Sequence, residues 1–438
     1  MPAAFHLTTN PDVVLARLEA LGIRLGLDRL RTLLTALGDP QARFPSVLVA
    51  GTNGKGSTSA LLAAMAGAAG YRVGHYTSPH LEGVEERIRI DGRAIERGRL
   101  AGLIERVVAA AEADGGELPT YFEALTAAAF LAFAEDAVEL AVLEVGMGGR
   151  LDATNVVEPV LSVITPISLE HREYLGPTLA TIAREKAGIL RRGRPAVAWV
   201  EELAAERALL IAAEEIGAEL SVVEPELWIE SVEPLGWAGQ EVHLVAAGER
   251  SALRLHLLGE HQAGNLVLAM AAAAALHGAD FPRLNPAAIA AGAAACRWPG
   301  RLEPVELPDG RRVLLDAAHN PAGVAALTAF LDAQGDPFDL LFGVLGDKQA
   351  DEMLLPLASR ARQVVLTQPS SPRARPAAEL AALLTARPHV HAEPDPARAL
   401  DLALATPSSL LVACGSIVLI GELRTALRQR FNLPPSAA

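Results

Sequence analysis

The stretch Val47-Leu-Val-Ala-Gly-Thr-Asn-Gly-Lys-Gly-Ser-Thr58 constrains this chain more than any other. A short apolar strand runs into a glycine-rich turn, a lysine and two hydroxyls, then an Ala-rich helix. Gly51, Gly54 and Gly56 let backbone N–H groups turn inward around an anion, the start of the helix adds its positive dipole end, and Lys55 supplies a mobile charge. The pattern predicts a phosphate-binding loop with Ser57 or Thr58 in reach of a Mg²⁺ ion. It is a shortened variant, since Val49 stands where the usual motif has its first glycine and Gly56 where Ser or Thr follows the lysine. A purely structural turn would need the glycines but not the lysine and hydroxyls.

At 438 residues the chain is too long for one ordinary core, so two domains are expected. A formal charge of −14 without a basic run argues against nucleic acid as a partner and for small-molecule substrates. Met-Pro-Ala-Ala-Phe-His at the start has neither the charged nor the apolar region of a secretory signal. The longest apolar run, Leu266 to Leu276, is too short to span a bilayer. Cys296 and Cys414 are far apart and outside metal-ligand spacing, which suits reduced thiols in a cytoplasmic protein. A monomer is expected.

Strands and helices alternate for most of the length, the pattern of an α/β protein with largely parallel sheets. Expected strands in the first part are Ser46–Ala50, Arg72–Thr77, Glu139–Val145, Val160–Thr165 and Ala196–Val200. From Glu226 to Leu258 short alternating segments broken by Pro234, Gly236, Gly239 and Gly248 predict an antiparallel insert, followed by a long helix from about His261 to Leu276. Arg297-Trp-Pro-Gly-Arg301 reads as a linker, because Pro and Gly stop the preceding helix. After it come strands at Val313–Ala317, Leu340–Leu345, Gln363–Thr367 and Leu410–Ala413. The expected domains are therefore 1–296 and 297–438.

Polar groups gather where these strands end. Tyr76-Thr-Ser-Pro-His-Leu81 closes the second strand, at the sheet edge where open α/β folds bind ligands. Glu123 opens an apolar helix, where a carboxylate commonly serves only the helix dipole. Leu143-Glu-Val-Gly-Met-Gly-Gly-Arg-Leu-Asp-Ala-Thr-Asn155 ends a strand in glycines and then offers Arg150, Asp152, Thr154 and Asn155; an Arg150–Asp152 ion pair is the plain alternative to function. Glu170 and His171 are adjacent, and Lys186 lies among Ala183, Ala187 and Ile189, where a solvated helix lysine is the plain alternative.

These segments in this order, with Trp298-Pro-Gly-Arg-Leu-Glu303 and Asp316-Ala-Ala-His-Asn-Pro321, resemble the bifunctional folylpolyglutamate synthase/dihydrofolate synthase family of the Mur ligase superfamily over nearly the whole chain. The resemblance implies a P-loop NTPase-like N-terminal domain and a smaller Rossmann-like C-terminal domain, with the active site in the cleft between them. It implies an ATP-dependent ligase that adds L-glutamate to a folate and to dihydropteroate through an acyl phosphate, with ATP and Mg²⁺. Gly54, Lys55, Gly56 and Ser57 would hold the ATP phosphates, and Asn265, Arg301 and Asp316 other parts of the nucleotide. Ser57, Ser78, Glu123 and His171 would bind metal, the last together with a carbamylated Lys186. Arg87, His319 and Ser416 would receive the incoming glutamate.

The chain departs from that family at three places. Glu170 stands for the usual aspartate, Ala317 for a common glycine, and Arg24, in Ile23-Arg-Leu-Gly-Leu27, for a typically acidic residue near the pterin. The last implies weaker use of dihydropteroate. The competing readings are a Mur-type amide ligase for a different amino acid and a nucleotide switch or kinase without ligation.

Overall fold

The computed structural model describes residues 11–113, 117–246, 248–385 and 387–433, so the opening hexapeptide read for a signal lies outside them. The chain divides into two compact units, one of Met1–Ser78, Val84–Trp228 and Asn265–Ala295, the other of Pro79–Gly83, Ile229–Gly264 and Cys296–Ala438. The insert at 229–264, allotted above to the first domain, thus groups with the second unit.

The first unit is built on eight strands: β1 Ser46–Ala50, β2 Val73–Tyr76, β3 Ile88–Ile90, β4 Arg93–Ala94, β5 Leu140–Glu144, β6 Leu161–Ile164, β7 Pro195–Trp199 and β8 Glu219–Val223. Their order is β4-β3-β2-β5-β1-β6-β7-β8. β2, β5, β1, β6, β7 and β8 run parallel, while β3 and β4 add an antiparallel edge. β1, β5 and β6 are buried along their whole length, which is why they read as apolar runs without alternation. Helices on the sheet, among them Lys55–Ala68, Arg97–Ala113 and Tyr121–Glu135, bury Leu103, Ile104, Phe130 and Phe133 in one core. β1 lies where the strand order turns, with β5 on one side and β6 on the other, and a crevice opens at the carboxyl ends of strands at such a point.

In the second unit, β9 Ile229–Pro234, β10 Gln240–Ala246 and β11 Glu249–Leu255 form the antiparallel sheet expected of the insert. The other sheet contains β12 Glu303–Glu306, β13 Arg312–Asp316, β14 Asp339–Phe342, β15 Val364–Leu366, β16 Val390–Ala392 and β17 Leu410–Cys414, ordered β12-β13-β17-β14-β15-β16. Only β12 is antiparallel. Period-two geometry divides its apolar side chains between two cores: Leu314, Leu340, Phe342 and Val412 face one layer, Val313, Leu315, Leu341 and Leu411 the other. Strands β3, β4, β8, β12 and β16 have no counterpart among the expected ones, each having exposed or half-buried positions that dilute the apolar signal.

Candidate active site

The phosphate loop follows β1 without a break. Gly51 has φ +146° and Gly54 φ +86°, backbone regions that favour glycine. Space excludes a side chain too: a Cβ at Gly51 would stand 1.8 Å from Thr165 Oγ1, and one at Gly54 2.4 Å from Asn265 Oδ1. Gly54 caps the Lys55–Ala68 helix, its carbonyl accepting the Thr58 N–H at 2.8 Å. Lys55 donates to the Thr52 carbonyl at 3.0 Å, and Ser57 is buried in the first turn. Asn265, far off in sequence, comes to this loop on the His261–Gly278 helix and accepts from Thr58 Oγ1 at 3.5 Å.

Lys186 is the sharpest feature beside the loop. Its side chain is buried and donates to the Gly51 carbonyl at 2.5 Å, so it is not a solvated helix lysine. Burial, aided by repulsion from Lys55, lowers its pKa to about 7, against the pull of Glu170 and Asp152. Glycines allow the helix Leu179–Ala187 this close approach. A Cβ at Gly149 would meet the Glu185 carbonyl at 2.7 Å, and one at Gly188 the Arg150 Cα at 2.5 Å. Arg150 pairs with Glu185 at 2.9 Å, not with Asp152. Asp152 instead accepts from Met147 N, Thr154 N and Thr154 Oγ1, and Asn155 donates to the carbonyls of Arg150 and Gly188. Those polar residues frame the loop that seats Lys186.

Of the residues expected at the metal, Glu123 has other partners: it forms a capping box with Thr120, and Arg29 donates to both its oxygens, at 3.0 and 2.8 Å. Buried in that ion pair, its carboxylate serves the helix start. Glu144 is the carboxylate at the carboxyl edge: it closes β5 opposite Val49 of β1, is buried, and accepts the Ser78 N–H at 3.1 Å. Its sequence signal is the one charge at the end of Leu-Ala-Val-Leu, directly before the glycines. His171 begins a short helix with φ +49°, its Nε2 3.7 Å from Glu170. Arg87 is buried in a turn of the same unit, its guanidinium 5.2 Å from the centre of the Tyr121 ring.

The remaining predicted residues belong to the second unit. Asp316 closes β13, and its oxygens accept the N–H groups of Leu302 (2.7 Å) and Ala318 (2.8 Å); burial raises its pKa against the nearby Arg301 charge. His319 shares its Nδ1 with the Ala317 carbonyl at 2.9 Å. Ser416 precedes the Ile417–Phe431 helix with its hydroxyl buried and, among the described residues, without a hydrogen-bond partner.

A phosphate loop at the turn of a parallel sheet, followed by a second doubly wound unit, is the arrangement of the Mur ligases. The Mur ligase middle domain family matches residues 49–273, and the Mur ligase, glutamate ligase domain family matches residues 300–417. A dihydrofolate synthase/folylpolyglutamate synthase from Mycobacterium tuberculosis is 42% identical over 368 residues, 80% of this chain and 75% of that protein. One from Bacillus subtilis is 36% identical over 366 residues, 82% and 84% of the two chains. Among solved structures, Mycobacterium tuberculosis folylpolyglutamate synthase complexed with ADP and AMPPCP superposes with a TM-score of 0.85 at 36% identity, over 97% of this chain and 100% of that one. E. coli FolC in complex with DHPP and ADP gives 0.84 at 31%, over 96% and 98%. The chain belongs to the dihydrofolate synthase/folylpolyglutamate synthase family of Mur ligases.

Proposed function

We propose that this protein is an ATP-dependent ligase that joins L-glutamate to the carboxylate of a folate, and of dihydropteroate. The observation that carries the reading is the buried Lys186 beside Gly51 and Lys55, at the base of a loop whose glycines make a cradle for phosphate. The named relatives supply the substrate class, since they are folate-modifying synthases with structures in complex with ADP.

A carboxylate is a poor electrophile for an amine. Transfer of the γ-phosphoryl group of ATP to a carboxylate oxygen gives an acyl phosphate and ADP; attack by the glutamate amine then forms the amide and releases phosphate. Both ATP and acid are anions, so their approach needs positive charge. The loop N–H groups, the helix start and Lys55 supply it. Ser57, Ser78, Glu144 and His171 would hold Mg²⁺, a set rich in the oxygen donors that this hard cation prefers. The buried hydroxyl of Thr165, against Gly51 and without a partner among the described residues, supports a crevice suited to polar atoms. When bound, Mg²⁺ would offset phosphate charge and stabilise the transferred group.

Lys186 would act as a carbamate. The neutral amine, favoured by a pKa of about 7, would add to CO₂ with loss of a proton and give an anion able to hold metal alongside His171. Asn265, Arg301 and Asp316 would contact the nucleotide, and Arg87, His319 and Ser416 the glutamate. Residues 1–296 and 297–438 would be the nucleotide and glutamate-ligase domains, a division supported by the gap between the family matches, 273 to 300. Two buried free thiols, Cys296 and Cys414, support a cytoplasmic setting, and we assign a monomer without nucleic-acid partners. Among the described residues no helix is long and apolar enough to cross a membrane.

ADP release measured with each component omitted tests the reading. It is expected to require ATP, Mg²⁺, glutamate and a folate or pteroate acid together. Strong turnover with another amino acid and none with glutamate would overturn it.

A further inference from the structure

Between Ser78 and Val84 the run Pro79–Gly83 groups with the second unit. It lies on the Ile417–Phe431 helix, where Gly421 makes room: a Cβ there would stand 1.8 Å from the Leu81 carbonyl oxygen. Beyond Leu81, the Glu82 carboxylate accepts from Arg424 Nη1, from Arg428 Nη1 at 2.8 Å and from Thr425 Oγ1 at 3.1 Å. Arg424 is 6% exposed, and its Nε also donates to Glu303 at 3.0 and 3.1 Å. Glu303 in turn accepts the Gly300 N–H at 2.8 Å.

One guanidinium therefore joins three stretches of chain, each continuous with a candidate ligand. Pro79 follows Ser78, Gly300 precedes Arg301, and the helix begins right after Ser416. Buried ion pairs add little stability over apolar packing, but a planar fork satisfied on two sides permits only one placement of its partners. Lysine, a point charge, lacks that constraint. Directionality is what a reaction with narrow geometric tolerance requires.

We propose that the Glu82–Arg424–Glu303 network is a positioning device for phosphoryl transfer, with Arg424 holding the backbone from which Ser78 and Arg301 reach their ligands. This rests on the ligase reading above. None of the three network residues touches substrate in this scheme; they act through their neighbours.

The test uses the full-length enzyme with Arg424→Lys, which keeps charge and loses the fork, and Glu82→Gln, which keeps shape and loses charge. kcat, KM for glutamate, the half-activating Mg²⁺ concentration and the thermal midpoint are measured, and rates are taken per folded enzyme. Both variants are expected to lower kcat by about tenfold or more and to raise the Mg²⁺ requirement several-fold, since a shift of Ser78 by about 1 Å suffices for such losses. The double variant is expected to be no worse than the poorer single one. Wild-type kcat and Mg²⁺ response in folded variants, or losses explained entirely by a smaller folded fraction, would overturn the proposal while leaving the ligase reading intact. Absence of Mg²⁺- and glutamate-dependent ADP release in the wild type would overturn both.

Discussion

Lys186 donates its ammonium to the carbonyl oxygen of Gly51, 2.5 Å away, tying the Leu179–Ala187 helix to the first residue of the phosphate loop. Burial, with repulsion from Lys55, brings the amine's pKa from 10.5 to about 7. Between those values the unfolded chain holds the proton and the folded chain does not, so this group's contribution to stability rises as pH climbs from about 7 to about 10.5 and is least below 7. At about 1.4 kcal/mol per pKa unit, the cost of folding with a charged amine at low pH is on the order of 5 kcal/mol. Lys186→Met should therefore melt higher than the wild type at pH 6, with the gap closing toward pH 10, while activity falls by about a hundredfold or more. Calorimetry across pH together with ADP release checks both. Carbamate formation predicts more: enzyme held in CO₂-free buffer loses most activity, and bicarbonate restores it faster as pH passes about 7. Full activity in CO₂-free buffer would remove the carbamate.

Two carboxylates near helix and strand ends should behave in opposite ways. Glu123→Gln breaks a capping box and the Arg29 pair, so it is expected to cost about 2 kcal/mol of stability and leave the Mg²⁺ requirement unchanged. Glu144→Gln is expected to raise the Mg²⁺ requirement at least tenfold with a small change in melting. Thermal melts and Mg²⁺ titrations of the two variants decide the assignment, and a reversed result would return the metal to Glu123.

Ser416 carries a buried hydroxyl without a partner among the described residues, and such a group costs about 1–3 kcal/mol unless a ligand or water satisfies it. Ser416→Ala should therefore leave the thermal midpoint equal or higher while raising KM for glutamate by about tenfold, the worth of one hydrogen bond. An unchanged KM would remove Ser416 from the glutamate site.

Arg24 reaches Glu117 at 3.2 Å in an ion pair whose side chains are 43% and 69% exposed, so its removal should cost well under about 1 kcal/mol. Arg29 also donates to its carbonyl, which holds the loop in place. With a base where the family typically has an acid, kcat/KM is expected to be lower for dihydropteroate than for tetrahydrofolate, and Arg24→Asp should narrow that difference. Equal efficiencies in the wild type would show that the position is tolerant.

What could be read along the chain was local. The strand, glycines, lysine and hydroxyls from Val47 to Thr58 act within one turn of backbone, so their order alone pointed to an anion cradle, and the apolar runs of β1, β5 and β6 announced strands of a parallel sheet. The alternating segments after Glu226 likewise announced an antiparallel insert. Which polar group faces the cradle was a matter of tertiary contact. Glu123 and Glu144 look equivalent in sequence, yet Arg29, distant in the chain, binds the first, while parallel register sets the second opposite Val49. Arg150 and Asp152, two residues apart, turn to different partners because Gly149 and Gly188 let the Lys186 helix come close. Burial, and with it the pKa of Lys186, depends on what packs around a side chain from elsewhere in the fold, and for that reason only the folded chain could separate a surface lysine from a buried one.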